Sequence, residues 1–374
     1  MKATETNRKK VDVVIVGAGP GGSAAAKKCA EAGLETVLFE ARKLPRDKVC
    51  SGLIVGSAAQ RIVREAFGEI PKEVLVDPYY YNGVMVYVPG TKPRSIENRI
   101  PVGWRRDIDF WMTQRAVDAG VKVYDECRIK SVKHTKDGVN VNFSRDGGES
   151  SISASYVVGA DGVRSAVRRS TFPALKVNYQ EEIRECYEGS FPLDRMYFHA
   201  FYIPGKSWFD INHKGPHFCL EVSAKPGELK DRLRQAKEIL SKEYGFNRQT
   251  KPLWKDSCME PRVHEQLIDG SFKPAKDRIL LIGDAAGFQL PNSEGIGTAI
   301  LSGVMAAESI VGAFKQGTEA AEMYLQKATS IINAIDNQLV MAKNSRYKET
   351  DWDLEEVAKG IHSLMKYAMY QDTF

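Results

Sequence analysis

Short apolar runs alternate with helical patterns at the start of the chain. Val11 to Val16 is a mostly β-branched run, which is typical of a buried parallel strand. A glycine-rich turn follows, and SAAAKKCAEAG then predicts a helix that ends at Gly33. The next apolar run, TVLFE from Thr36 to Glu40, predicts a second strand. The start of the chain is therefore predicted to form a β-α-β unit.

The pattern changes several times further along the chain. Residues 79–88 alternate like an antiparallel strand, and strand-like aromatic segments dominate residues 174–222. Residues 226–244 predict a charged amphipathic helix. Residues 278–287 return to the pattern of a buried strand followed by glycine, and the chain after Gly295 is mostly helical in pattern.

Two kinds of segment therefore interleave. The pattern predicts an α/β protein in which a Rossmann-like dinucleotide-binding domain contains an inserted antiparallel-sheet domain, with helices at the C-terminus. The predicted boundaries are 1–75, 105–173 and 271–318 for the first domain, 76–104 and 174–270 for the sheet domain, and 319–374 for the C-terminal helices.

Composition narrows the function classes. The chain has 374 residues, and 53 basic against 48 acidic residues give a net charge of +5. No basic run with interleaved aromatics is present, so nucleic acid is not an expected partner. The six cysteines are scattered and predict neither a disulfide framework nor a metal site. The polar N-terminus is unlike a secretory signal, and no uninterrupted apolar run reaches the length of a membrane span. We expect a cytoplasmic protein, with contact at a membrane surface as the alternative.

The turn after the first strand carries a phosphate-binding pattern. It reads G-x-G-x-x-G, in which the glycines allow a tight turn and a close approach of backbone N–H groups to a pyrophosphate at the helix N-terminus. Glu40 ends the second strand, where a carboxylate can accept ribose hydroxyls. This pattern does not distinguish FAD from NAD. The candidate cofactor-binding residues here are Gly17, Gly19, Pro20, Gly22, Glu40, Ala41 and Arg42.

Two later motifs point to a flavin. VVGADGVRSAVRR, residues 157–169, resembles the DG motif of flavin hydroxylases and their relatives, and RILLIGDAAG, residues 278–287, resembles their GD motif. With the glycine turn, they resemble the FAD-dependent superfamily with the p-hydroxybenzoate hydroxylase fold. The resemblance implies that Gly283 and Asp284 contact FAD and that Asp161 and Gly162 lie near its pyrophosphate. As an alternative, either aspartate caps a helix.

A third segment fits the same resemblance. Residues 105–112 carry R-x-x-I-D-x-x-M, similar to a superfamily motif whose arginine approaches the flavin diphosphate. This implies a cofactor role for Arg105. Its neighbour Arg106 is the alternative, because the register is uncertain by one residue.

Other details resemble the geranylgeranyl reductase family. Glu-Gly-Ile before a helix of small residues implies that Gly295 and Ile296 lie at the flavin, with Pro291 on the substrate side. The stretch Lys48-Val-Cys50-Ser51-Gly resembles that family's K-x-C-G-G loop. The resemblance implies that Cys50 and Ser51 lie against the flavin and that Cys50, with Lys48, takes part in catalysis. As an alternative, Cys50 is an inert packing residue.

The sequence pattern that the family carries in its substrate domain is only half present. Trp208 and Phe209 fit half of the family's Y-x-W-x-F-P pattern, so both are candidate substrate-binding residues. The alternative is that they are sheet core aromatics.

These motifs and resemblances lead to three functional hypotheses. The first is an FAD-dependent reductase that transfers a flavin hydride to a C=C bond of an isoprenoid or other apolar substrate. The second is an FAD-dependent monooxygenase of an aromatic or small metabolite, and the third is a non-catalytic flavin-binding protein. No second glycine-rich dinucleotide turn is present, so NADPH, NADH or a reduced protein would act as a transient electron donor. The expected partners are a small-molecule or lipid substrate and such a donor protein.

Overall fold

The computed structural model describes residues 10–203, 207–344 and 353–370. The N-terminal residues 1–9 and residues 204–206 of the predicted substrate-wall motif lie outside this part of the chain. Within it, the strands are β1 (Lys10–Val16), β2 (Thr36–Phe39), β3 (Leu75–Tyr87), β4 (Arg94–Gly103), β5 (Lys122–Tyr124), β6 (Arg128–Thr135), β7 (Gly138–Arg145), β8 (Gly148–Gly159), β9 (Asn178–Glu188), β10 (Tyr197–Ile203), β11 (Ser207–Lys214), β12 (His217–Ala224), β13 (Trp254–Arg262), β14 (Ala275–Lys276) and β15 (Ile279–Leu281).

The helices range in length from 4 to 25 residues. They are α1 (Pro20–Glu31), α2 (Ser57–Phe67), α3 (Arg105–Asp118), α4 (Ala166–Thr171), α5 (Leu229–Tyr244), α6 (His264–Ile268), α7 (Gly283–Ala286), α8 (Ile296–Gln316), α9 (Ala320–Asn344) and α10 (Leu354–Tyr370).

The first sheet is mostly parallel and has the strand order β14-β15-β8-β1-β2-β5. In β1, Val14 pairs with Val37 of β2 on one side and with Val157 of β8 on the other. Val14 is fully buried, as expected for a parallel strand covered by helices on both faces. β15 also runs parallel to β8. The carboxyl ends of β1, β2, β8 and β15 therefore meet at one edge, where ligands bind in open α/β sheets.

The second sheet has the order β13-β9-β12-β11-β10-β3-β4 and is antiparallel except for the β10–β3 pair. Its strands lie in residues 75–103 and 178–262, against the predicted boundaries of 76–104 and 174–270. On one face, α5 packs its buried Leu240 against the apolar side chains of the sheet. The other face looks toward the first domain.

Helix α8 is long and apolar enough to cross a membrane, with a mean hydropathy of 1.5 over its best window. However, 61% of that window is buried inside the protein. The helix packs closely on α1, because a Cβ added at Gly303 would lie 2.3 Å from the carbonyl oxygen of Gly21. We therefore interpret α8 as a core helix of the first domain.

The two C-terminal helices pack against different domains. The hydroxyl of Tyr324 on α9 donates to the carbonyl of Leu281 in the first sheet, as expected for a helix that covers the cofactor domain. Helix α10 instead packs Val357 and Ile361 into the apolar cluster formed by β3 and β4. Helix α9 therefore covers the first domain, whereas α10 belongs to the apolar core of the second sheet.

Candidate active site

The glycine turn after β1 forms an open cradle at the carboxyl edge of the first sheet. A Cβ at Gly22 would lie 1.9 Å from the Gly17 carbonyl oxygen, so the start of α1 packs closely on the strand. Gly17 has φ +106°, which favours glycine. Gly19 is different, because the nearest atom to its added Cβ belongs to Arg46, 3.6 Å away. It is also the N-cap of α1 and has no side-chain cap. The helix therefore presents its N-terminus to the space above Gly19.

An ion-pair network fixes the acidic residue at the end of β2. The carboxylate of Glu40 is buried and accepts hydrogen bonds from the backbone N–H groups of Ala18 and Arg42, each at 3.0 Å. The Nε atom of Arg46 lies 3.1 Å from the same carboxylate, and its Nη1 atom lies 3.1 Å from Asp109. Arg46 thus links the end of β2 to helix α3 directly beneath the cradle. The sequence interpretation did not single it out.

The structure selects Arg105 over Arg106. Arg105 is buried, whereas Arg106 is exposed. The Arg105 guanidinium forms a bidentate ion pair with Asp109, at 2.7 and 3.0 Å, and interacts electrostatically with the Cys50 side chain. Burial alone would raise the pKa of the Asp109 carboxyl, but Arg105 and Arg46 hold it below its usual range.

A cavity of about 1560 Å³ extends from this cradle to the second sheet. Single-ligand pockets usually occupy about 300–1,000 Å³, so the cavity has room for a cofactor and a substrate side by side. Nearly all the candidate site residues line it: Gly17, Gly19, Pro20, Gly22, Glu40, Ala41, Arg42, Lys48, Cys50, Ser51, Arg105, Asp161, Gly162, Trp208, Gly283, Asp284, Pro291, Gly295 and Ile296. Their roles stay predictions, but the fold brings them together.

The two motif aspartates have different surroundings. The Asp161 carboxylate accepts hydrogen bonds from the Ser165 hydroxyl and from the backbone of Ala166 and Val167. It therefore caps helix α4 while lining the cavity. Asp284 lies in the first turn of helix α7, and its carboxylate lies 4.0 Å from the ammonium of Lys48. Asp284 thus keeps most of its hydrogen-bonding capacity for a ligand.

A side chain caps the N-terminus of α8. The helix begins at Ile296 and lines the cavity there. The Glu294 carboxylate accepts a hydrogen bond from the Gly297 backbone at 2.8 Å. Burial raises the pKa of this carboxyl to about 7. The positive end of the helix therefore interacts with Glu294 at the edge of the cavity.

The substrate side of the cavity corrects one candidate. Trp208 lines the cavity, but Phe209 is fully buried on the opposite face of the sheet, stacked on Phe201 with ring centroids 4.7 Å apart. Consecutive residues of a strand point to opposite faces, so only one of the two could line the cavity. Phe209 is a core residue, as the alternative interpretation had it.

Carboxyl groups line the sheet wall beside Trp208. They belong to Glu182, Asp210 and Glu221 on three neighbouring strands. Burial, followed by repulsion from neighbouring carboxylates, raises the pKa of Glu182 to about 8. The same two causes raise the pKa of Asp210 well above its usual range. Both groups therefore favour the protonated form near neutral pH.

Helix α10 supplies the apolar wall of the same cavity. The residues that line it are Ile361, Leu364, Met365, Ala368 and Met369. The helix is held to β4 by an ion pair between Arg94 and Glu355 and by a 3.0 Å hydrogen bond from His362 to the Ser95 carbonyl. The sequence indicated an amphipathic helix here but gave no signal for the surface that its apolar face would cover.

The residues along the cavity fit FAD. The close-packed glycine cradle at a helix N-terminus suits a pyrophosphate, and the fixed carboxylate of Glu40 suits a ribose. Beyond the cradle, the cavity continues past Cys50, Pro291 and Gly295, which offer a long groove for a flat ring system.

Two family models match parts of the chain. A model described as an FAD binding domain matches residues 101–194, and one described as an NAD(P)-binding Rossmann-like domain matches residues 15–45. The second match covers the end of β1, the glycine cradle, α1 and β2, which is most of the β-α-β unit that lines the cavity.

Relatives and solved structures agree with these matches. The protein CbrA of Escherichia coli strain K12 is 28% identical over 296 residues, covering 77% of this chain and 81% of that protein. CbrA of Shigella flexneri is also 28% identical, over 85% of each chain. A geranylgeranyl bacteriochlorophyll reductase-like protein from Thermoplasma acidophilum superposes with a TM-score of 0.73 at 19% identity, covering 96% of this chain and 97% of that one.

The flavin-dependent halogenase CmlS superposes with the same TM-score, 0.73, at 17% identity over 94% of this chain and 67% of the halogenase. The fold is thus common to proteins of different chemistry, so it does not select a reaction. FAD is the cofactor named by the model that matches residues 101–194, and the cavity fits it. The chain therefore contains a segment that matches an FAD binding domain, and its fold is similar to that of the reductase-like protein and the flavin-dependent halogenase.

Proposed function

We propose that the protein reduces a C=C bond of an isoprenoid or other apolar substrate. The observation that carries this proposal is the substrate side of the cavity, where an apolar helix faces carboxyl groups that favour their protonated form. Reduction of a C=C bond needs a hydride at one carbon and a proton at the other. Bound FAD, in its reduced form, supplies the hydride.

The chain's own residues would supply the proton. A carboxylic acid with a pKa near or above the working pH is a suitable general acid. Asp210 and Glu182 meet this condition and line the cavity together with Cys50. After proton transfer, the carboxylate would recover its proton from solvent, so the residue is unchanged at the end of each turnover.

The carboxyl groups also limit the substrate. A diphosphate placed beside Glu182, Asp210 and Glu221 would find no positive charge on these three side chains in a partly desolvated site, and it would oppose ionisation of the two protonated carboxyl groups, which is costly. The apolar side chains of α10, such as Leu364 and Met365, suit a hydrocarbon chain. We therefore expect a neutral isoprenoid, such as a polyprenyl alcohol or quinone, in preference to a prenyl diphosphate.

Anaerobic single-turnover kinetics tests the proposal. The FAD-loaded protein is reduced with dithionite and mixed with polyprenyl alcohols and quinones of increasing length. We expect the bound flavin to be reoxidised and the product of the active substrate to contain two additional hydrogen atoms at one former double bond. Asp210→Asn should slow this step by about 10²-fold, the lower end for loss of a general acid. The electron donor, whether NADPH, NADH or a reduced protein, is identified separately by its ability to reduce the bound flavin.

Three results would overturn the proposal. No reoxidation by any of the polyprenyl substrates would exclude the reductase function. A product that requires O2 and carries an oxygen atom from labelled O2 would instead identify a monooxygenase. A protein that binds FAD but shows neither reaction with any donor would fit the non-catalytic alternative.

A further inference from the structure

Three buried or half-buried cations meet at the loop that carries Cys50. Arg105 of the first domain interacts electrostatically with the Cys50 side chain, whose sulfur accepts a hydrogen bond from the Gly52 backbone at 3.4 Å. From the second sheet, the Nη1 atom of Arg184 donates to the Cys50 carbonyl at 2.6 Å. The ammonium of Lys214 donates to the Ser51 carbonyl and, at 2.9 Å, to the Gly103 carbonyl. The backbone and the side chain of the loop are therefore held from both domains.

Lys214 is placed for this contact by the register of β11. Trp208, Asp210, Asn212 and Lys214 alternate onto the same face of the sheet, so the strand that contributes Asp210 to the cavity wall also places Lys214 beneath the loop. Lys214 is 1% exposed, and burial lowers its pKa. Its ammonium also lies 4.4 Å from the centre of the Trp104 ring, a cation–π contact.

Arg184 has a similar setting. It forms a bidentate ion pair with Asp256, with distances of 3.2 and 2.8 Å. Its guanidinium lies 4.9 Å from the Trp254 ring centre and 5.6 Å from that of Trp104. The ion pair and the two rings fix the guanidinium, so its contact with the Cys50 carbonyl is directional and stiff.

Stability alone does not account for Lys214. An ammonium removed from water costs several kcal/mol, whereas an apolar side chain of similar length would fill the same space at lower cost. The hydrogen bonds of Lys214 go to the two segments that must stay in register at the cavity, the Cys50 loop and the residues before Arg105. The close fit is also seen at Gly52, where an added Cβ would lie 2.1 Å from the Gly103 carbonyl oxygen and 3.0 Å from the Lys214 ammonium.

We propose that Lys214 and Arg184 are positioning residues that hold the Cys50–Ser51 backbone against the cofactor and connect it to the substrate-binding sheet. The proposal does not depend on which substrate is reduced. It requires only that FAD occupies the cavity lined by Cys50 and Ser51.

The test is the reactivity of Cys50 in the FAD-loaded full-length protein. Iodoacetamide labelling is followed by peptide mass spectrometry, so that Cys50 is separated from the other cysteines. We expect Lys214→Met to raise the labelling rate of Cys50 at least tenfold and to make the midpoint potential of bound FAD more negative. Lys214→Arg should restore most of both values, because it retains the charge and the donors. Lys255→Met, at an exposed lysine on β13, is the matched control and should behave as wild type.

Unchanged Cys50 labelling and unchanged midpoint potential in a folded, FAD-loaded Lys214→Met protein would overturn the proposal. If Lys214→Met does not yield folded holoprotein, Arg184→Lys decides by the same measurements. Lysine retains the positive charge but is shorter than arginine, so the hydrogen bond to the Cys50 carbonyl is lost or weakened. The labelling rate of Cys50 should therefore increase again, and a wild-type labelling rate would overturn the proposal.

Discussion

The carboxyl group of Glu182 provides a test of the cavity that needs no substrate. Its pKa is raised from 4.5 to about 8 in the folded protein, first by burial and then by the charges of Glu221 and Glu260. In the unfolded chain the group returns to its ordinary value. The folded state therefore binds this proton more tightly, and the resulting stability is fully present below about pH 4.5 and is lost as the pH rises through about 8. Glu182→Gln should remove that dependence.

The size of the effect follows from the pKa shift. A shift from 4.5 to about 8 corresponds to at most about 5 kcal/mol of unfolding free energy. Between about pH 5.5 and about pH 8.5, some 3 kcal/mol of this would be lost. Glu182 interacts with Glu221 and Glu260, so part of the shift is shared with them. We therefore expect the variant to gain at least about 1.4 kcal/mol relative to wild type between the two pH values, which is equivalent to one pKa unit.

Urea unfolding at saturating FAD measures this difference. Wild type, Glu182→Gln and Glu188→Gln are compared at about pH 5.5 and about pH 8.5 by the linear extrapolation method. Glu188 is exposed at the end of the same strand, so its replacement controls for loss of a surface carboxylate from β9. FAD is held in constant excess because ligand binding itself adds to the apparent stability.

One result would refute the reasoning. If the free-energy difference between wild type and Glu182→Gln is the same at both pH values, the carboxyl titrates alike in the folded and unfolded states. Glu182 would then be ionised at neutral pH and could not serve as the proton donor. An equal pH dependence for Glu188→Gln and Glu182→Gln would have the same meaning.

Three further predictions concern the cofactor. Gly22→Ala should yield protein without bound FAD, because the added Cβ would lie 1.9 Å from the Gly17 carbonyl oxygen. Gly148→Ala, whose added Cβ has its nearest neighbour at 3.6 Å, is the control and should retain FAD. The measurement is the flavin absorbance per chain. Arg46→Met should weaken FAD binding by roughly 10-fold or more in equilibrium titrations, since loss of a partner leaves Glu40 and Asp109 less compensated, and unchanged affinity would contradict this role. Glu294→Gln should make the midpoint potential of bound FAD more positive by on the order of 30 mV above about pH 7, since a negative charge beside the cavity is removed, and an unchanged potential would show that the carboxylate does not act on the cofactor.

The cofactor side of the site was predictable because its signals are local. The glycine turn, the acid at the end of β2 and the two later motifs each sit within a few residues of a strand end, and parallel strands bring those ends to one edge. The choice between Arg105 and Arg106 could not be made from the neighbouring residues alone. It required knowing that α3 begins at Arg105 and that Asp109, one turn later, forms a bidentate ion pair with Arg105.

The substrate side was less predictable, for different reasons. Strand periodicity alone could have separated Trp208 from Phe209, since neighbours in a strand face opposite sides. The apolar wall formed by α10 could not have been assigned, because an amphipathic pattern shows that a helix has a face to bury but not what the face will cover. The packing of α10 against β3 and β4 makes this helix part of the cavity.

The polar face of β11 shows most clearly where sequence patterns stop. Asp210, Asn212 and Lys214 alternate with Phe209 and Ile211, which on its own indicates a strand with one face in water. In the folded protein that face is covered, with the carboxyl of Asp210 at the cavity and the ammonium of Lys214 beneath the Cys50 loop.

The charges on this covered face act on one another. Glu221, at the cavity wall, interacts electrostatically with both Arg184 and Lys214. A substrate group that offsets the negative charge of Glu221 would therefore leave the two cations less compensated, and it would strengthen their attraction for the carbonyls of Cys50 and Ser51. By this reasoning, the sheet that receives the substrate also adjusts the loop at the cofactor, through side chains that neighbour each other on a single face.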